Sequence, residues 1–369
     1  MVKTFLRSIY TSFVTDIIDV PPRLLSFMLF LLLMFLPLAQ LGVSILYLLT
    51  LACIWAIFAA SWDLLVGRTG QMSLGHSLFF GIGAYATALL YRFYGWPPWV
   101  TIPLAMLLGV LAALLVGFPC LRVKGPYLAL VTMAFPLIAQ SIVLVYTLDP
   151  ITGGASGVYV RGLFHFLDAY QQGIAEYYLT LLLLLVSGII LYKVANSRVG
   201  IVLVSILDDD LASKACGINV TKYKLLAFAI SALFATLAGC LFAHVVGVAG
   251  PATFQLTFSF LAVTLTILGG LGTIYGPIAA AFIIQTLDRY VLAIPKLTIL
   301  GAKILPLPFE WHDLIFMVVV VIFVIKWPRG LSRFVTDKLE DLSEEREIEE
   351  RGPHIWKKYK RKKESTHED

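Results

Sequence analysis

The chain has 369 residues, of which 59% are apolar or aromatic and 14% charged, and its mean hydropathy is +0.87. That composition excludes a water-soluble globule, because about 20 apolar helical residues cross a hydrocarbon layer of roughly 30 Å and this chain can furnish about ten crossings. The net charge of +5 belongs to the membrane part, since residues 329–369 hold 11 basic and 11 acidic residues, and no basic face suited to nucleic acid is present in the pattern.

Apolar windows bounded by charges, Gly and Pro predict helices at 24–39, 43–65, 76–92, 98–117, 126–147, 174–195, 222–246, 256–271, 273–294 and 309–327. The first follows Pro21, Pro22 and Arg23 and lacks a cleavage site, so it reads as a span and not as a signal peptide. The third, eighth and ninth are rich in Gly and suit re-entrant or broken helices, which a membrane tolerates where protein buries the freed backbone. The expected fold is an all-α polytopic bundle divided into a cytoplasmic segment 1–22, a transmembrane domain 23–328 and a charged cytoplasmic tail 329–369.

Orientation follows from Lys and Arg, which concentrate on the cytoplasmic side. Lys193, Arg198, Lys214, Lys222 and Lys224 lie between the sixth and seventh spans, and Arg122 and Lys124 follow the fourth. Ten spans also bring Lys3, Arg7, Arg23, the Arg68 loop and the tail inside, and leave outside the 148–173 loop and the Trp96, Pro97, Pro98, Trp99 loop. In the tail, 337–350 is acidic and 357–363 basic. It reads as a solvated or partly helical extension, with attraction of the basic run to anionic membrane lipid as the sharper alternative.

Catalytic and metal chemistry find little to use. Cys53, Cys120, Cys216 and Cys240 are scattered, which supports neither a disulfide framework nor a metal site. No Gly is followed by Lys, so a Walker A loop is missing, and so is HExxH. His165, His312, His354 and His367 fall in loops or at ends, while His76 and His244 in or beside spans read as structural. Asp63 lies near the inner end of the second span, and Asp288 with Arg289 near the outer end of the ninth. None offers the midplane ion site that a proton- or sodium-coupled carrier needs, so the energy for uphill transport enters from elsewhere.

The cytoplasmic stretch 197–224 is the most informative outside the membrane. Ser197 suits an N-cap, Val199, Val202, Leu203 and Ile206 share one helix face, and Gly217 suits a C-terminal cap. An amphipathic helix is expected, either flat on the bilayer or against the protein's own cytoplasmic end, or entering a partner's groove with Asp208, Asp209 and Asp210 exposed. Gly272, Gly276 and Ala280 form a small-residue step, as do Gly81, Ala84 and Ala88, and plain helix packing explains both. Gly247, Gly250 and Pro251 break the chain on the outer side, where Pro251 can begin a short helix.

Five stretches in order resemble the permease subunits of branched-chain amino acid ABC importers, in their LivM-like branch. They are SWDLLVGRTGQMSLGHSLFFGIGAYATALL (61–90), RVKGPYLALVTMAF (122–135), TGGASG (152–157), the 197–220 segment ending ASKACGINV, and ILGGLGTIYGPIAAAF (267–282). The resemblance implies a subunit of a prokaryotic inner membrane that hydrolyses nothing itself and binds no cofactor. It pairs with a second, LivH-like permease, two cytoplasmic ATPases that consume ATP, and an extracytoplasmic substrate-binding protein. It makes 197–217 the coupling helix, with Val202, Ile206, Asp208, Asp209, Asp210, Ala212 and Gly217 facing the ATPase. Ser73, His76, Phe79, Tyr127 and Thr132, polar or aromatic within the matching motifs, become candidates for the substrate pathway. Urea or amide importers share much of the pattern, and a self-contained secondary carrier is the alternative from another class. Three positions depart from the pattern: Ile201 and Leu207 stand where relatives commonly carry Arg, and Ser156 lies near where an acidic residue is often seen.

Overall fold

The computed structural model describes residues 42–292 apart from 122 and 124, together with residues 34, 321, 325 and 330. Backbone alone is described for 288–292. The predicted helices 24–39 and 309–327, the segment 1–22 and the charged tail lie outside the described residues, as do Arg122, Lys124, His312, His354, His367 and the side chains of Asp288 and Arg289.

Eight of the predicted helices fall on observed ones. These are α1 (Val43–Thr69), α2 (His76–Tyr94), α3 (Pro98–Cys120), α4 (Pro126–Val143), α5 (Ala169–Ala195), α8 (Val220–Val246), α9 (Leu256–Gly269) and α10 (Tyr275–Leu292). Between α5 and α8 stand two short helices, α6 (Arg198–Asp208) and α7 (Asp210–Ala215). Among the described residues, α1, α3, α4, α5 and α8 are long and apolar enough to cross a membrane. At 14 residues, α9 is about 21 Å long, shorter than the layer, and it runs unbroken over most of the window predicted for the eighth span. The chain is a multi-pass helical membrane protein, and among the described residues one element departs from all-α: the two-residue antiparallel ladder of β1 (Val158–Tyr159) with β2 (Val248–Ala249).

The core lies where α1, α2, α8 and α9 meet. Trp55 of α1 stacks on Phe80 of α2 with ring centres 5.4 Å apart, and Phe242 and Phe258 close on it at 5.6 and 5.1 Å. Small residues let the backbones come that near. A methyl group on Gly239 would lie 1.9 Å from the Phe80 carbonyl oxygen, and one on Gly83 would lie 2.2 Å from that of Thr236. Helix association in lipid rests on such close packing, and the predicted Ala84 and Ala88 are fully buried in the same seam. α3 and α4 turn Leu107, Leu111, Leu115, Leu130 and Ile138 outward, apolar and exposed.

The predicted small-residue step Gly272, Gly276, Ala280 needs correction, because it does not lie on one helix. Gly272 sits in the break between α9 and α10 at φ +78, and the helix resumes at Tyr275. The close approach is instead between Gly269 and Gly276 and between Gly67 and Gly272. On the opposite end, Pro251 begins only a four-residue 3-10 turn, Pro251–Phe254.

Candidate functional site

The chain's principal irregularity is the connection between α1 and α2. α1 ends at Thr69 and Gly70 takes φ +66, yet the start of α2 does not lie beside that end. His76 Nε2 is 2.8 Å from Ser61 Oγ, and Trp62 Nε1 donates to the Ser73 carbonyl at 2.8 Å. Ser61 is eight residues before Thr69, about 12 Å along the helix, so residues 70–75 climb back into the helical layer and α2 starts inside it. Non-helical backbone at such depth needs internal partners, and besides Ser73 itself the connection and the first turn of α2 find them on α1, α4, α9 and Phe254. Leu74 N donates to Thr132 Oγ1 of α4 at 3.1 Å, Gly75 N to Ser73 Oγ at 3.3 Å, and Ser77 N to Ser259 Oγ of α9 at 2.9 Å. Ser77 Oγ donates to the Phe254 carbonyl at 3.3 Å.

Of the five predicted pathway residues, Ser73, His76, Phe79 and Thr132 are buried around this re-entrant connection. Tyr127 stands apart, 71% exposed near the start of α4. His76 lies 4.9 Å from the Phe58 ring and 6.1 Å from the Phe79 ring, which in turn meets Phe228 at 5.6 Å.

The Ser61–His76 pair is not a nucleophile and its base. Ser61 Oγ donates to the Phe58 carbonyl at 2.7 Å, so it accepts from His76 Nε2–H, and this assigns the tautomer. His76 Nδ1 is buried with no hydrogen-bond partner, whereas a catalytic triad would place an orienting acid there. Among the described residues no group of three His, Cys, Asp or Glu side chains could hold a metal ion, and the four cysteines are free. His244 has a structural task. Its Nδ1 donates to the Arg161 carbonyl at 2.8 Å, and its Nε2 accepts from Thr87 Oγ1 at 3.0 Å, which itself lies 2.7 Å from Thr101 Oγ1. One side chain thereby ties α8 to α2, α3 and the loop after β1.

Asp63 pins the second irregularity. It is fully buried, and its carboxylate accepts the backbone N–H groups of Gly272 at 2.6 Å and Ile274 at 2.9 Å. Those donors lie in the α9–α10 break, where Ile274 holds φ +57, so a charge on α1 fixes a broken helix 209 residues away. The sequence marked Asp63 as a charge within a span but gave no sign of its partner. Ser61, Ser77 and Ser259 carried no signal of their own, since Ser in an apolar helix looks alike whether it packs or bonds.

The segment 197–217 is not one helix, as its pattern suggested, but two. Ser197 caps α6 by accepting from Gly200 N at 3.4 Å, and Leu203 and Ile206 are buried with Val199 and Val202 half-buried, so this apolar face packs on the protein itself and Ile206, expected to face the ATPase, does not. At Asp209 the backbone becomes extended, and its carboxylate accepts from Leu211 N at 2.8 Å and Ala212 N at 3.0 Å to start α7. Ser213 Oγ donates back to the Ser205 carbonyl at 3.0 Å, folding α7 against α6. Gly217 closes the segment at φ +82. Asp208 and Asp209 are exposed, but Asp210 is not presented with them: it is half-buried, 3.0 Å from Lys224 Nζ at the start of α8 and 3.8 Å from Lys214 Nζ. Ala212 is exposed. The outward surface therefore combines Ile201 and Leu211, 65% and 70% exposed, with two carboxylates. Leu207, also exposed, touches the start of the re-entrant connection, since a methyl group on Gly70 would come within 2.6 Å of Leu207 Cδ1.

Comparison with known proteins places these features. Residues 44–325 match the family described as branched-chain amino acid transport system / permease component. The chain is 33% identical over 260 residues to the high-affinity branched-chain amino acid transport system permease protein LivM of Salmonella typhimurium, and 32% over 259 residues to that of Escherichia coli. Each match covers 64% of this chain and 60% of the relative's length. A probable branched-chain amino acid transport permease protein LivM of Methanocaldococcus jannaschii is 25% identical over 274 residues, covering 69% of this chain and 77% of that protein. No solved structure matches the chain.

Proposed function

The chain belongs to the branched-chain amino acid transport system permease family, and on that premise we propose that it is the transmembrane permease subunit of an ATP-driven importer of branched-chain amino acids. The observation that carries the proposal is the bent α6–α7 knob, apolar at Ile201 and Leu211 and acidic at Asp208 and Asp209, held to the membrane helices by its opposite face. An exposed apolar tip rimmed by charge suits a groove on a soluble partner, and the missing Walker A loop makes that partner the source of ATP hydrolysis. The assembly comprises this chain, a second permease, two cytoplasmic ATPases and an extracytoplasmic binding protein in a prokaryotic plasma membrane. This chain contributes about ten spans within 23–328, the segment 1–22 and the tail 329–369, with both termini cytoplasmic.

Closure of the ATPase groove displaces α6–α7 as a unit, because the Ser213–Ser205 bond joins its two helices, and the Asp210–Lys224 pair links the knob to α8. Leu207 then presses on Gly70, where the re-entrant connection begins, and the motion reaches Ser73, His76 and the Thr132 contact of α4. Packed helices with two discrete arrangements convert such a push into alternating access. Affinity purification from the native membrane tests the proposal: it predicts recovery of an ATPase pair and a second permease, and a chain recovered alone contradicts it.

A further inference from the structure

At the end of the molecule opposite α6–α7, the described side chains include two Lys or Arg residues, Arg92 and Arg161, and both line one cavity of 730 Å³. Tyr91, Tyr159 and His165 complete its polar lining, and no carboxylate belongs to it. Cations on this side run against the charge bias that orients membrane proteins, and here the two converge from separate elements, the last turn of α2 and the loop after β1.

The frame around the cavity is fixed before any ligand arrives. His244 holds the Arg161 carbonyl at 2.8 Å, Val160 N donates to the Gly247 carbonyl at 2.9 Å, and the ladder sets Tyr159 opposite Val248. Arg92 Nη1 donates to the Ile151 carbonyl at 3.3 Å, with its guanidinium 5.9 Å from the Phe93 ring centre.

Depth indicates the occupant. Arg92, Gly95, Pro97 and Pro98 of the lining alternate along the chain with Phe93, Tyr94, Trp96 and Trp99, all exposed. Exposed Trp and Tyr at a helix end mark the headgroup level of a bilayer, which puts the cavity where lipid phosphate lies. We propose that this cavity binds the headgroup of an anionic phospholipid, its phosphate between Arg92 and Arg161 with phenol hydroxyls from Tyr91 and Tyr159 within the same lining. The guanidinium fork suits phosphate oxygens, and the volume falls in the range of small-molecule sites, about 300–1,000 Å³.

The test uses the full chain purified in the assembly it forms, in nanodiscs of mixed phosphatidylglycerol and phosphatidylcholine, with retained lipid counted by native mass spectrometry. Wild type is expected to retain phosphatidylglycerol with a preference of roughly tenfold, falling below about threefold in R92Q/R161Q and preserved in R92K/R161K. Equal preference in wild type and R92Q/R161Q, at matched thermal unfolding midpoints, overturns the proposal. So does a double variant that keeps its lipid but loses capture of a soluble extracytoplasmic protein, which would assign the cavity to protein docking. Neither readout requires transport or ATP hydrolysis, so the result stands apart from the proposed function.

Discussion

Replacing Asp63 by Asn changes no volume and removes one acceptor from a buried bridge. The carboxylate satisfies two N–H groups of the α9–α10 break, those of Gly272 and Ile274. In Asp63→Asn one of them keeps the amide oxygen while the other meets an NH2 group, donor against donor. A buried N–H left without an acceptor costs about 1–3 kcal/mol, and the surviving bond loses its charge assistance, roughly half its strength. The expected loss is about 2–4 kcal/mol, a large share of the roughly 5–15 kcal/mol that keeps a typical domain folded. Asp63→Ala strips both acceptors and is expected to cost more. Thermal unfolding of the purified chain in detergent reads the total, and limited proteolysis at residues 270–274 reads the local effect. If both variants unfold within about 0.5 kcal/mol of wild type, with unaltered cleavage, the carboxylate does not hold the break.

Gly239→Ala is expected to lower the unfolding midpoint by about 1–3 kcal/mol equivalent, because its methyl group meets the Phe80 backbone. Gly173→Ala, whose methyl group would find Leu46 at 3.7 Å, is expected to be neutral or to stabilise by up to about 1 kcal/mol, and equal effects at the two sites would refute the packing argument. Asp209→Ala removes the cap of α7 at about 0.5–2 kcal/mol, so hydrogen exchange at Leu211 and Ala212 should quicken while α8 keeps its protection. Leu207→Ala withdraws the contact with Gly70; in the reconstituted assembly it should lower substrate carried per ATP hydrolysed several-fold with hydrolysis retained, and an unchanged ratio removes Leu207 from the transmission path.

The spans were legible because length and apolarity alone specify a membrane helix: the window 43–65 became Val43–Thr69, and 222–246 became Val220–Val246. What periodicity does not carry is depth. Nothing in Gly-Gln-Met-Ser-Leu-Gly says that residues 70–75 return toward Ser61, since the deciding contacts join Ser77 to Ser259 and Leu74 to Thr132 across 182 and 58 positions. The step from Gly272 to Gly276 misled for a related reason, because spacing implies a shared face only where the chain is helical. Asp209 was open to a better reading, as an Asp before Asp-Leu-Ala-Ser-Lys is a cap signal, yet within three consecutive carboxylates it looked like surface charge. Asp210 turned inward because Lys224 lies at the foot of α8, 14 residues on, where the fold alone brings it near.

The central claim is that this chain provides a conduit driven from outside itself through α6–α7. Uptake of a radiolabelled branched-chain amino acid into proteoliposomes, with ATP enclosed on the cytoplasmic side, measures it directly. ATP-dependent uptake is expected from the full assembly, is expected to vanish in the I201E/L211E variant although that variant unfolds at the wild-type temperature, and is expected to be absent from the chain alone. Uptake by the lone chain under an ion gradient, or undiminished ATP-driven import by I201E/L211E, contradicts the account.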